Sequence, residues 1–342
     1  MKKHQITIVD LARQLNLSKS TVSRALTGHP NVNKETKKVV LELATQLDYQ
    51  RNMLALSLVR SKSYTLGIIV PEFVNPFFPS VIIGAQGVME AAGYNVMVCQ
   101  SNESYPTEVT NTKALVSGRV DGLLVSITKE TTDFEHLRFL QRKGIPLVLF
   151  NRVSEEMSVS KVVVDDYEGA FRAVEHLILT GRRRIAHLAG PETLLISRNR
   201  LNGYLDALRT YNQPIDREII LHYDLTREHA RIPVNHLLGL PHPPDALFAI
   251  NDPTAIEAML ILKSRGVRIP EEMAVVGFSD DPVSLIIEPN LTTVAQPVTE
   301  MGQVAAQLFL DQADEEPGAY VPETRVLKTK LLIRESSLRK GG

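Results

Sequence analysis

Apolar positions recur at helical spacing three times within the first fifty residues. Ile8, Val9, Leu11, Ala12 and Leu15 form the first run, and Thr7 before it with Asp10 three residues on resembles a capping box with Asp in place of Glu. After the turn Asn16-Leu17, Ser18 is placed to cap a second helix over 19–26, whose Val22, Ala25 and Leu26 share one face. Lys19, Ser20, Ser23 and Arg24 fall off that face and stay free to reach outward. Gly28-His29-Pro30 ends the helix, and Asn33 caps a third running to about Asp48, whose Val39, Val40, Leu43, Ala44 and Leu47 close a small core. Residues 52–59 are apolar on most sides and span only about two turns, too short to persist alone in water.

Beyond a polar linker at 60–63 the period changes. Short apolar runs at 66–70, 95–99, 122–127, 146–150, 161–164, 184–189, 218–222, 246–250 and 274–278 read as strands. Amphipathic helical segments such as 79–92 and 167–180 separate most of them. Strands alternating with helices predict parallel, doubly wound sheets covered on both faces. Nearly 280 residues of this pattern exceed one such sheet, so two lobes are expected, with a ligand site beyond the strands' carboxyl ends in the cleft between them.

Charge sharpens the division. The 342 residues carry 38 Lys/Arg and 39 Asp/Glu, yet residues 1–60 hold ten bases against four acids, which leaves 28 bases against 35 acids in the rest. A basic head on an acidic body predicts that the head meets a polyanion. No apolar run reaches a membrane span, the N-terminus lacks a signal peptide's apolar stretch, and Cys99 is the single cysteine. A soluble cytoplasmic protein without disulfides or membrane contact is expected. His222, His229, His236 and His242 lack metal-ligand spacing, Arg182-Arg183-Arg184 lies just past a helix end, and residues 311–316 read as a solvated acidic loop. No phosphate loop, nucleophile elbow or paired-carboxylate spacing occurs, so neither an enzyme nor a cofactor is expected.

The head reads as a helix-turn-helix, whose second helix enters the DNA major groove. Arg24 suits a guanine O6/N7 pair, Lys19 and Ser20 suit bases or phosphates, and Thr21 and Ser23 suit phosphate oxygens. Thr7 and His29 join this DNA-facing set. A helical protein-interaction module on a solute- or carbohydrate-binding protein is the alternative reading.

Ile6-Thr7-Ile8-Val9-Asp10-Leu11-Ala12 and Leu17-Ser18-Lys19-Ser20-Thr21-Val22-Ser23-Arg24-Ala25-Leu26 closely resemble the lac repressor family of bacterial transcription factors. The resemblance continues through Asn75-Pro76-Phe77-Phe78, Arg200-Leu201-Asn202-Gly203-Tyr204, Asn251-Asp252, Val276-Gly277-Phe278-Ser279-Asp280 and Leu291 to Pro297. It implies an all-α helix-turn-helix headpiece (1–50), a hinge helix and linker (51–63), and a periplasmic-binding-protein-like α/β core (64–340). The core's lobes would be 64–163 with 294–325, and 164–293 with 326–340. It also implies a homodimer on a palindromic operator, acting as a repressor, with hinge residues Asn52, Ala55 and Leu58 in the minor groove and Leu58 as the wedge between base pairs. The proline that often precedes the hinge asparagine is Arg51 here, and the Arg often found between the hinge Ala and Leu is Leu56.

For a sugar-like effector, Phe77 and Phe78 offer aromatic faces, and Asn151, Arg152, Arg200, Asn251 and Gln296 offer polar groups for hydroxyls. Ser279 stands where relatives often carry a ligand aspartate, Asn151 also replaces an acid, and Leu194 and Ile196 fall at positions polar in some members. A less anionic pocket would leave Arg152 and Arg200 unpaired, which favours a sugar acid or phosphate over a neutral sugar.

Overall fold

The computed structural model describes residues 6–49, 62–225, 228–316 and 319–338, in two compact units, 1–63 and 64–342. The first unit holds α1 (Ile8–Gln14), α2 (Lys19–Leu26) and α3 (Lys34–Gln46). Each begins on a side-chain cap. Thr7 and Asp10 form a complete capping box, Ser18 Oγ accepts from the Thr21 amide at 3.0 Å, and Asn33 Oδ1 accepts from the Thr36 amide at 2.7 Å. The turn after α1 needs a left-handed residue, which Asn16 supplies at φ 51°. Leu11, Ala12, Val22, Ala25, Val32, Val40 and Ala44 close the core between the three helices. The hinge reading on Asn52, Ala55 and Leu58 lies outside the described residues.

The second unit runs β1 (Thr65–Val70), α4 (Phe77–Ala91), β2 (Asn95–Gln100), α5 (Tyr105–Ser117), β3 (Gly122–Val125), α6 (Glu135–Arg142), β4 (Leu147–Phe150), β5 (Ser160–Val164), α7 (Asp166–Leu179) and β6 (Ile185–Ala189). It continues through α8 (Leu195–Thr210), β7 (Ile220–His222), α9 (Arg231–Gly239), β8 (Ala246–Ala249), α10 (Asp252–Ser264), β9 (Ala274–Ser279), β10 (Thr292–Ala295), α11 (Val298–Asp314), β11 (Thr324–Leu327) and β12 (Lys330–Leu332). Two six-stranded sheets result, ordered β11-β5-β4-β3-β1-β2 and β12-β10-β9-β8-β6-β7. The first is wholly parallel, and the second is parallel except for its edge strand β12, which runs antiparallel to β10. Central strands β3, β4 and β8 are buried at every position, as strands covered on both faces must be.

Helices α4 and α11 cross backbone to backbone in the first lobe. A Cβ on Gly84 would overlap the Thr299 carbonyl, and one on Gly302 the Val81 carbonyl. In the second lobe α7 and α8 pair in the same manner, with Gly203 against the Tyr167 carbonyl. His187 is stacked between Tyr204 and Phe248, and burial pushes its imidazole down to about 4, so this core histidine is neutral.

Several expectations need correction. The strands β10, β11 and β12 escaped the apolar-run criterion because they are short and carry Thr292, Thr293, Thr324, Arg325 and Lys330. Val294 and Ala295, expected in the first lobe, pair in the second sheet, and Val326 and Leu327 do the reverse. The chain therefore passes between sheets after β5, β10 and β11. Asp311 to Asp314 form the last turn of α11 rather than a loop. Cys99 is half-buried on edge strand β2 and packs against the core. The arginine run needs no correction: Arg182 is buried and donates to the Asp245 carbonyl at 3.1 Å, and Arg184 pairs with Asp216 at 2.7 Å.

Candidate functional site

The head presents one side of α2 to solvent. Val22 and Ala25 point into the core, which leaves Lys19, Ser20 and Arg24 exposed and Thr21 and Ser23 half-buried. The Arg24 guanidinium has no partner among the described residues. Ser18 Oγ lies 2.8 Å from both Ser20 Oγ and Thr21 Oγ1, which organises three hydroxyls at the helix start. His29, in the turn after α2, accepts the Asn31 amide on Nδ1 at 3.2 Å. That bond puts the neutral ring's proton on Nε2, making it a donor. The Lys37 ammonium donates to the Gly28 carbonyl at 2.9 Å and anchors the same turn. Thr7 is exposed and caps α1. Its amide and its hydroxyl both bond Asp10 Oδ2, at 2.9 and 2.7 Å, so its donors serve the α1 cap rather than a phosphate.

In the core, polar residues collect just past the carboxyl ends of strands in both sheets, where ligands of such folds bind. Phe77 and Phe78 begin α4, and their rings meet edge to face at 5.1 Å. Phe78 is buried against Phe150, so it is a packed wall rather than an open face. Arg152, after β4, lies with its guanidinium 5.9 Å from the Phe78 ring. Asn151 beside it takes a left-handed conformation at φ 56°. Glu72 follows β1, and burial raises its carboxyl pKa against the opposing pull of Arg152.

The second lobe supplies Arg200, Asn251, Ser279 and Gln296. Arg200 lies 3.6 Å from the centre of the Phe278 ring and also donates to the Ile250 carbonyl. Asn251 caps α10, its Oδ1 accepting from the Thr254 amide at 3.0 Å, so only its amide nitrogen is left to a ligand. Gln296 Nε2 donates to Ser279 Oγ at 2.9 Å, while its buried Oε1 has no partner among the described residues. Ser279 sits at φ 129° and Asp280 at φ 58°, backbone strain concentrated beside this orphan acceptor. Beneath them Asp252 accepts from Thr293 Oγ1 at 2.6 Å, and burial pushes its carboxyl up to about 7.

The expectation of unpaired arginines is overturned. Arg152 Nη1 bonds both oxygens of Glu103, at 2.7 and 2.9 Å, and Arg200 bonds Asp166 Oδ1 at 2.8 Å through Nε and 2.7 Å through Nη2. Positive charge therefore gives no reason for the site to select an acid. Asp166 is fully buried, which raises its pKa, with Arg200 pulling the other way. The sequence reading missed Glu72, Glu103 and Asp166. All three are acids within three residues of a strand end, a position that marks them in hindsight.

Two family models cover nearly all of the described chain. "Periplasmic binding proteins and sugar binding domain of LacI family" matches residues 63–330, and "Bacterial regulatory proteins, lacI family" matches residues 7–52. The chain belongs to the LacI family of bacterial regulatory proteins. It is a DNA-binding transcriptional regulator, not an enzyme. A LacI-family relative, the probable HTH-type transcriptional repressor ExuR of Bacillus subtilis (strain 168), is 34% identical over 98% of this chain and 99% of its own length. The structure of a transcriptional regulator CelR–cellobiose complex is 29% identical, covers 97% of this chain and 99% of that one, and superposes with a TM-score of 0.74. The lac repressor dimer bound to operator and the anti-inducer ONPF shares this LacI-family fold, with a TM-score of 0.86 at 24% identity over 98% of this chain and 100% of that one. Among the described residues no helix is long and apolar enough to cross a membrane, and no group of three or more His, Cys, Asp or Glu side chains could hold a metal ion.

Proposed function

We propose that this regulator is a cytoplasmic repressor that binds a palindromic operator as a homodimer and answers to a sugar or sugar derivative held between the core lobes. The observation that carries the effector reading is the polar set at the strand ends of both sheets, with Gln296 Oε1 buried within it and unpartnered among the described residues. A buried acceptor without a donor costs about 1–3 kcal/mol, which a ligand hydroxyl would relieve. Exposed Ile83 on α4 and Met97 and Val98 on β2 support the dimer, as do Val283, Leu285 and Ile286 in the second lobe.

On DNA, α2 enters the major groove with Arg24 on a guanine edge and Lys19 and Ser20 on bases or phosphates. Thr21, Ser23 and His29 approach the backbone, and Ala55 and Leu58 of the hinge enter the minor groove, with Asn52 at its start. Effector-dependent rearrangement of the lobes alters the spacing of the paired heads. A coupling of about 1–3 kcal/mol is enough to change operator occupancy 5–150-fold.

Calorimetry with ribose, cellobiose, galacturonate and glucose 6-phosphate tests the effector reading. One of these chemistries is expected to bind the full chain, and Gln296→Leu to weaken that binding roughly tenfold through loss of one hydrogen bond. Binding that is indifferent to Gln296→Leu, or absent for all four, would contradict it.

A further inference from the structure

Between the two sheets, one residue is held from three sides. Lys129 follows β3 of the first lobe. Its ammonium donates to the carbonyl of Asp224 at 2.8 Å and lies 4.0 Å from that residue's carboxylate, and Asp224 follows β7 of the second lobe. The Lys129 carbonyl accepts from Thr193 Oγ1, after β6 of the second lobe, at 3.2 Å. Its amide donates to Glu103 Oε2 at 3.0 Å within the first lobe. Glu103 is the same carboxylate that holds Arg152. A run of hydrogen bonds thus leads from Arg152, whose guanidinium lies 5.9 Å from the Phe78 ring, through Glu103 to the contacts between the lobes.

We propose that Lys129 clasps the two lobes together and that Glu103 is the positioning residue tying this clasp to Arg152. The effector role of Arg152 rests on the function proposed above, while the clasp itself does not. The Lys129 side chain is only 19% exposed, so its bond to the Asp224 carbonyl is poorly screened. Among the described residues a further ion pair joins the lobes, Arg198 with Glu155 at 3.5 Å, but its side chains are 48% and 73% exposed and it is worth little. Asp224 Oδ2 also accepts from His229 Nδ1 at 3.0 Å, so its carboxylate is shared and the carbonyl is the firmer anchor. One carboxylate serves both Arg152 and the Lys129 amide. A ligand that draws Arg152 away therefore alters the bond that orients Lys129.

Amide hydrogen exchange on the effector-free full chain tests this. Lys129→Met is expected to speed exchange in segments 190–194 and 222–225 about tenfold, with protection in β1 and β8 unchanged. Glu103→Gln is expected to do the same more weakly, Thr193→Val to affect 190–194, and Arg198→Ala to leave all four regions as they were. Unchanged exchange at 190–194 and 222–225 in Lys129→Met would overturn the clasp. A uniform loss of protection that reaches β1 and β8 in Lys129→Met and Glu103→Gln would also overturn it, because that is the signature of general destabilisation. Failure of every sugar to bind, alongside the local response, would remove the effector reading and leave the clasp standing.

Discussion

Arg24→Ala removes the regulator's preference for its operator over a scrambled duplex while dimerisation and head folding persist. The side chain is exposed on α2, has no partner among the described residues, and contributes nothing to the core that Val22 and Ala25 form. Truncating it therefore leaves no buried group unsatisfied. A bidentate arginine–guanine pair discriminates by about 1–3 kcal/mol, and a dimer makes it twice, so roughly 30-fold to over ten-thousandfold of selectivity is lost. Competition binding of operator and scrambled duplex at one fixed salt concentration measures the ratio directly. A ratio unchanged from wild type would move base recognition off this residue.

Arg200→Met is expected to act on the core, at a pH-dependent cost. The wild-type guanidinium sits between the fully buried Asp166 and the Phe278 ring, and its loss strands a carboxylate in the interior. Breaking such a pair costs about 3–5 kcal/mol when the remaining group stays charged. Asp166 escapes by taking a proton. Its pKa is already raised by burial and rises further once the opposing Arg200 is gone. A carboxyl whose folded pKa lies above its unfolded value subtracts stability as pH climbs between the two. The deficit of the variant relative to wild type is therefore largest at pH 8 and shrinks toward pH 5, as urea unfolding at both values would show. Equal deficits at the two pH values would mean that Asp166 is not the stranded group.

Legibility in the sequence follows the range of the interactions. The head was readable because its determinants are local: Thr7 with Asp10, Ser18 with Thr21 and Asn33 with Thr36 each act three residues apart. Strands β1, β3, β4 and β6 were readable because burial on both faces leaves continuous apolar runs. Strand β10 was not, since Thr292 and Thr293 are buried through hydrogen bonds to Arg334, Ser337 and Asp252, partners distant in the chain. The site's composition was legible at Arg152, Arg200 and Gln296, but its charge balance was not. Glu103 lies 49 residues from Arg152 and Asp166 lies 34 from Arg200, separations that no local pattern encodes.

In a dimer on DNA, α2 of two chains reads a symmetric site. The most direct test of this is enrichment of duplexes bound by the full chain from a random library, run without added ligand and again with the four sugars. Recovery of a palindrome whose half-sites each carry a guanine dependent on Arg24 is expected. With neither condition enriching any sequence, or with enriched sites lacking two-fold symmetry, symmetric reading by α2 would be contradicted.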